Sequence, residues 1–111
     1  MDENTIKRIL PHNDKAEQGI IGSMLVNRDA ISDVMDMLTG DEFYNKQYGI
    51  LFDNMVELYS EGASVDTVTL NERLQRKAIP DEVANTDTLA KLVMETPLYA
   101  PVKDYARIVK D

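Results

Sequence analysis

Residues with catalytic or metal-binding potential are few in this sequence. His12 is the only histidine and there is no cysteine, so a zinc site built from the usual histidine and cysteine ligands cannot form. A general base needs a partner and a pocket, and no nucleophile stands out for His12 to activate. We therefore predict no catalytic, metal-binding or cofactor-binding residue, and we expect His12 to pack its ring beside a helix start.

Glycines and carboxylates offer two further kinds of site. Gly19 and Gly22 lack the preceding strand and the Gly-Lys-Ser or Gly-Lys-Thr of a phosphate loop. A glycine inside a helix costs about 1 kcal/mol relative to alanine, so we interpret both as helix-packing residues that let another helix approach closely. Acidic pairs such as Asp33 with Asp36 are interpreted as solvated faces, because a glycosidase-like pair needs a cleft and a defined separation.

Composition and charge restrict the class of protein. The 111 residues, 43% apolar and 29% charged, fit one globular domain. Apolar runs are far shorter than the roughly 20 residues of a membrane span, and the first residues do not form a secretory signal, so we expect a cytoplasmic protein without membrane contact. The net charge of −8 disfavours direct binding of nucleic-acid phosphates and favours a basic or amphipathic protein partner.

The spacing of apolar residues predicts an all-α fold, a compact bundle of about six helices. Polar residues placed to cap helix starts are Asn13 or Asp14, Asn27, Asn45, and Asp66 or Thr67. Asp14 and Glu17 have the spacing of a capping box, and Gly40 stands where a left-handed C-terminal cap is expected. The fourth helix is expected to run through Ala78 and to stop before Pro80.

We expect three regions: a flexible N-terminal arm (1–10), a helical head domain (11–98) and the start of a further helical segment (99–111). The last apolar stripe stops without a cap, so we expect the chain to be a piece of a longer protein. Two other interpretations stay open at this point. Residues 67–78 could be the recognition helix of an acidic DNA-binding regulator, although their outer face carries few base-reading side chains. The chain could also be an unrelated small helical interaction domain.

Four segments taken together point to one family. They are PHNDKAEQGIIGSML (11–25), DEFYNKQYGILFDNM (41–55), EGASVDTVTLNERL (61–74) and TPLYAPVKDYARIVKD (96–111). In this order and spacing they resemble the N-terminal domain of bacterial replicative DNA helicases of the DnaB type, over about residues 9 to 111. The resemblance implies an all-helical head that forms a collar on a hexameric ring, arranged as a trimer of dimers. It implies that this fragment is not an enzyme and binds no cofactor, and that ATP and Mg belong to a separate C-terminal ATPase domain of the parent protein, absent from this chain.

The resemblance also implies partners and contact residues. In this family the head pairs with other subunits, docks the helicase-binding domain of primase and, in some bacteria, meets a helicase loader. Residues 99–111 correspond to the start of a helical hairpin that pairs subunits, so the candidate subunit-pairing residues are Val102, Tyr105, Ala106 and Val109. The candidate primase-facing residues are Thr88 and Leu89, in a region where this sequence departs from the family's usual Gly-Gly pattern.

Overall fold

Six α-helices and one 3-10 turn make up the regular structure of residues 12–97 and 99–110, the part of the chain that this computed structural model describes. In chain order they are α1 (Asp14–Val26), α2 (Arg28–Val34), the 3-10 turn (Gly40–Glu42), α3 (Lys46–Ser60), α4 (Thr67–Arg76), α5 (Thr86–Glu95) and α6 (Val102–Lys110). No strand occurs in this part of the chain, so the predicted all-α fold is confirmed. The predicted arm, residues 1–10, lies outside the described residues, as do positions 11, 98 and 111.

Short polar side chains determine where most of these helices begin. A side-chain oxygen accepts a hydrogen bond from a first-turn amide at five helix starts, and the capping residues are Asn13, Asn27, Asn45, Asp66 and Asn85. At α4 the arrangement is reciprocal: the Thr69 amide donates to the Asp66 carboxylate at 2.8 Å, and the Asp66 amide donates to the Thr69 hydroxyl at 3.0 Å. The predicted caps are confirmed, with Asn13 rather than Asp14 starting α1.

Two helices end at residues in the left-handed region. Gly62 follows α3 with φ +76°, and the next amide donates to the Leu58 carbonyl at 3.0 Å, as glycine-terminated helices commonly do. Ala78 has φ +58°, and the Ile79 amide donates to the Leu74 carbonyl at 2.9 Å. The expectation that the fourth helix runs through Ala78 is therefore wrong, since α4 ends at Arg76 and Ala78 reverses the backbone direction.

Gly40 plays a different part from the left-handed cap expected for it. Among the described glycines only Gly62 has a positive φ, and α2 already ends at Val34. Gly40 starts the 3-10 turn and lies against the backbone of Gly49 in α3: a Cβ on Gly49 would come within 3.1 Å of the Gly40 carbonyl carbon. The two glycines thus let the turn lie directly on α3, and the Gly40 amide donates to the Asp53 carboxylate at 2.8 Å.

The core surrounds α1, which contacts α2, α3, α5 and α6. Nine of its residues between Ala16 and Leu25 are buried, including Glu17 and Ser23. The largest fully buried apolar side chains come from all parts of the fold and include Ile20, Ile21, Met24, Ile31, Leu51, Phe52, Met55, Leu70, Leu74 and Leu89. Because one helix is covered on most sides, the other helices present their outer faces as the molecule's surface.

Candidate interaction surfaces

The glycine edge of α1 lies in close contact with the end of α5 and with α6. A Cβ on Gly19 would lie 2.7 Å from Cδ2 of Tyr105 in α6. A Cβ on Gly22 would lie 2.8 Å from the Thr96 Cβ and 3.1 Å from the Leu92 carbonyl oxygen. Real Cβ atoms do not approach heavy atoms so closely, so both positions place backbone against a neighbouring element of the same chain.

The candidate subunit-pairing residues of α6 face the interior of their own chain. Val102 is 8% exposed and Ala106 is fully buried, both within the main core. Tyr105 and Val109 are half-buried and pack against that core. The most exposed apolar side chain of α6 lies on the other side of the helix, where Ile108 is 47% exposed. Pairing of subunits through α6 stays a prediction, and the structure shows that these four side chains also hold α6 on the domain.

The two candidate primase-facing residues differ in their accessibility. Thr88 is exposed in the first turn of α5, where its hydroxyl donates to the Asn85 side chain at 3.1 Å. Leu89 is fully buried in the core. A docked protein can therefore contact Thr88 directly, whereas Leu89 packs in the core and holds the same helix turn in place.

Thr88 lies on a groove bounded by α1, α5 and the start of α3, called the α1–α5 groove below. One section of the groove, of about 230 Å³, is lined by Thr88, Tyr48 and Gln18 among others, and a second section, of about 440 Å³, extends toward Gly19. The Gln18 side-chain amide donates to the Glu95 carboxylate at 2.6 Å, and both residues line both sections. This hydrogen bond therefore spans the groove at the point where its two sections meet.

Negative charge collects around the Tyr48 end of the groove. Burial raises the pKa of the Tyr48 hydroxyl, and the carboxylates of Asp14, Glu95 and Glu17 raise it further. Lys91 also lines this section, with its ammonium nitrogen 3.9 Å from a carboxylate oxygen of Glu95, so three carboxylates stand against one lysine at this end. This excess of carboxylates favours basic side chains on a bound partner.

Glu17 is a buried carboxylate, and the capping box that its spacing from Asp14 predicts is wrong. Its carboxylate is not part of a capping box: one oxygen accepts the Tyr44 amide at 2.9 Å and the other accepts the Asn45 amide at 3.0 Å. The residue is only 2% exposed, so these two bonds satisfy a charge that water does not reach. Glu17 thereby fixes the segment that leads into α3. Asn45 in this segment lines the groove.

His12 packs at this same corner of the fold, as expected from its position before a helix start. Its ring stacks on Tyr44 with 3.7 Å between the ring centroids and an interplanar angle of 8°. Its Nε2 atom lies 3.3 Å from an oxygen of Asp14. The ring is thus held by an aromatic contact and a carboxylate, next to the segment that Glu17 fixes.

The densest basic group of the sequence is neutralised by carboxylates. The Arg73 guanidinium donates to Glu57 at 2.6 Å and to Glu61 at 2.6 and 3.0 Å, and Lys77 donates to Glu57 at 2.7 Å. These bonds lower the pKa of Glu57, chiefly through Lys77, and lower that of Glu61, chiefly through Arg73. Arg76 also donates to the Glu72 carboxylate, at 2.6 Å. A phosphate would have to compete with these carboxylates for each cation, which disfavours residues 67–78 as a DNA-reading helix.

Metal-ligating side chains do not gather at one place in the described structure: across residues 12–97 and 99–110, no three histidine or acidic side chains are arranged to hold a metal ion. The helices of this same part of the chain are each too short or too polar to cross a membrane. The described residues offer two candidate interaction surfaces, the α1–α5 groove and the outer side of α6.

Comparison with known proteins identifies the class to which this fold belongs. The chain superposes on the crystal structure of the N-terminal domain of DnaB helicase from Mycobacterium tuberculosis with a TM-score of 0.84 and 32% identity, covering 90% of this chain and 72% of that one. The fold is thus that of a helicase N-terminal domain. The family model described as the DnaB-like helicase N terminal domain matches residues 9–111, and the chain belongs to this family.

Full-length relatives show how much of a protein this domain represents. The replicative DNA helicase DnaB of Pasteurella multocida is 33% identical over 101 residues, which are 91% of this chain and 22% of that protein. The replicative DNA helicase DnaB of Leifsonia xyli is 30% identical over 110 residues, 99% of this chain and 24% of that protein. The chain therefore spans less than a quarter of the relatives it matches. Family membership overturns the two alternative interpretations, an unrelated helical domain and a DNA-binding regulator.

Proposed function

We propose that this domain is the N-terminal collar of a hexameric replicative DNA helicase, where it associates with other subunits and docks primase. The observation that carries the proposal is the match of residues 9–111 to the helicase N-terminal family. In this proposal the domain has no catalytic role. ATP and Mg bind in a C-terminal motor domain of the parent protein, which works in the cytoplasm, and a helicase loader is a further partner.

Primase docking is assigned to the α1–α5 groove. Thr88 is exposed at one end of the groove, and Glu95 supplies a carboxylate where the two sections meet. The net charge of −8 and the carboxylates of Asp14, Glu17 and Glu95 around Tyr48 favour a partner whose contact surface is basic. Interfaces of this kind need complementary shape as well as charge, and the groove supplies a concave surface that Thr88 lines.

Calorimetry with the helicase-binding domain of the primase from the same organism tests this assignment. The unmodified chain should bind, and Thr88→Arg should weaken binding roughly tenfold or more, because it places a bulky cation where the basic partner must sit. Val68→Arg is the matched control, since Val68 is 74% exposed in the first turn of a different helix, α4. Absence of binding by the unmodified chain, or equal losses in the two variants, would contradict primase docking at this groove.

Subunit association is assigned to the outer side of α6. Ile108 is the exposed apolar side chain there, and Arg107 and Asp104 beside it are also exposed and pair with each other at 2.6 Å. Sedimentation velocity over a range of chain concentrations should show association that Ile108→Asp weakens without lowering the thermal midpoint. Association that persists unchanged in that variant would move the interface elsewhere.

The identity of the parent protein has its own test. The reading frame that encodes this chain should continue into a domain with a Gly-Lys-Ser or Gly-Lys-Thr phosphate loop, the signature of the nucleotide-binding motor. The corresponding full-length protein should then unwind a forked DNA substrate in the presence of ATP and Mg. A downstream region without such a loop would refute the helicase proposal and leave only the domain family.

A further inference from the structure

Sulfur chemistry in this chain is limited to thioethers, because there are six methionines and no cysteine. The methionines differ sharply in exposure across the described residues. Met24 and Met55 are fully buried in the core, and Met35 and Met37 are half-buried. Met94 is 85% exposed in the last turn of α5. Its thioether is therefore far more accessible to solvent than those of the core methionines.

We propose that Met94 is an oxidation site, at which hydroperoxides convert the thioether to methionine sulfoxide in the folded chain. A lone pair on sulfur attacks the terminal hydroxyl oxygen of the peroxide, an S–O bond forms, and the O–O bond breaks. The proton of the attacked oxygen passes, directly or through water, to the leaving oxygen. Sulfur loses two electrons, and hydrogen peroxide is reduced to water. The reaction needs no group from the protein beyond an approachable sulfur atom, and exposure governs its rate.

The position of Met94 also determines what the modification does to the fold. A sulfoxide oxygen on this side chain points into water and needs no partner from the protein. The same oxygen on Met24 or Met55 would be buried among apolar side chains without a hydrogen-bond donor, which is costly. Oxidation at Met94 should therefore change the chemistry of the α5 surface while leaving the core intact.

Peptide mapping after timed exposure to hydrogen peroxide tests the proposal on the whole chain. Trypsin places the exposed methionine and the two core methionines in separate peptides: residues 92–103 with Met94, 16–28 with Met24 and 47–73 with Met55. Sulfoxide should accumulate in the Met94 peptide roughly tenfold faster than in the two core peptides. In guanidinium-unfolded chain the three rates should converge, because exposure then no longer differs. Equal rates in the folded chain would overturn the proposal.

A variant provides an independent check. Met94→Leu preserves the apolar helical side chain and removes the sulfur, so the number of oxygen atoms that add rapidly in intact-mass spectra should fall by one. An unchanged number of rapidly added oxygen atoms would assign the fast reaction to other methionines and refute the proposal. The unmodified chain carrying sulfoxide at Met94 alone should keep its thermal midpoint, and a methionine sulfoxide reductase should restore the original mass. A lowered thermal midpoint of the chain oxidised only at Met94 would contradict a surface site.

Discussion

Replacing Glu17 by alanine should cause the largest loss of stability among the polar substitutions available in this fold. The carboxylate is 2% exposed and accepts the amides of Tyr44 and Asn45 at 2.9 and 3.0 Å. Hydrogen bonds to a charged group contribute about 1.5–3 kcal/mol each, and removing the acceptor leaves both donors unsatisfied. Two such bonds give an expected cost of about 3–6 kcal/mol, against a total stability of about 5–15 kcal/mol for a domain of this size.

Chemical denaturation at neutral pH, followed by circular dichroism, measures this loss. Glu17→Gln retains one acceptor oxygen and should lie between the unmodified chain and Glu17→Ala. Glu82→Gln is the control for loss of a carboxylate, because Glu82 is exposed in the α4–α5 loop and should change stability by less than about 0.5 kcal/mol. A Glu17→Ala variant within about 1 kcal/mol of the unmodified chain would refute the argument that this carboxylate holds the segment before α3.

Three further predictions follow from the backbone and from the ion pairs. Ala78→Gly should raise the free energy of unfolding by about 1 kcal/mol, because φ at this position is +58° and glycine adopts such a φ without strain. Ala90→Gly inside α5 is the control and should lower the free energy of unfolding by a similar amount. Gly22→Ala should cost about 1–3 kcal/mol by clashing with Thr96, and Thr96→Gly in the same chain should restore part of that loss in a double-mutant cycle. Arg73→Gln should be less stable than the unmodified chain at neutral pH. The pKa values of the two partners of Arg73, Glu57 and Glu61, are lowered in the folded state. The difference in free energy of unfolding between the unmodified chain and Arg73→Gln, measured by urea titration, should therefore shrink as the pH falls below 4.5, the ordinary pKa of a glutamate.

Helix number and helix starts could be predicted because their determinants are local. A capping side chain reaches an amide two or three residues ahead, as Asn27 and Asn45 do, so residue type and position alone indicate it. Apolar residues spaced by three and four mark the face that packs inward, whatever it packs against. Both signals are contained within one or two helix turns, and the caps at Asn27 and Asn45 form as predicted.

Features that depend on distant segments could not be predicted in the same way. Glu17 stands three residues after Asp14, which is the local spacing of a capping box, yet its carboxylate bonds amides 27 and 28 residues further along the chain. Gly40 follows an apolar stripe as a helix-ending glycine would, but its role depends on Gly49 in another helix. In each case the local sequence pattern was compatible with a role at a helix end and with a contact to a distant segment. The contact with the distant segment is the one that formed.

The apolar stripe of α6 illustrates the same ambiguity between packing inside a chain and packing between chains. The stripe of Val102, Tyr105, Ala106 and Val109 would suit either, and the structure uses it to attach α6 to α1 and α2. Releasing the stripe would expose the buried Val102 and the covered parts of the half-buried Tyr105 and Val109. Full burial of one large apolar side chain contributes about 1.5–3 kcal/mol, so this loss would be a substantial part of a total stability of about 5–15 kcal/mol. A subunit contact that required α6 to leave the core would thus have to compensate for this loss of stability. Contact through the outer side of α6, around Ile108, carries no such cost, and for this reason we assign subunit association to that side.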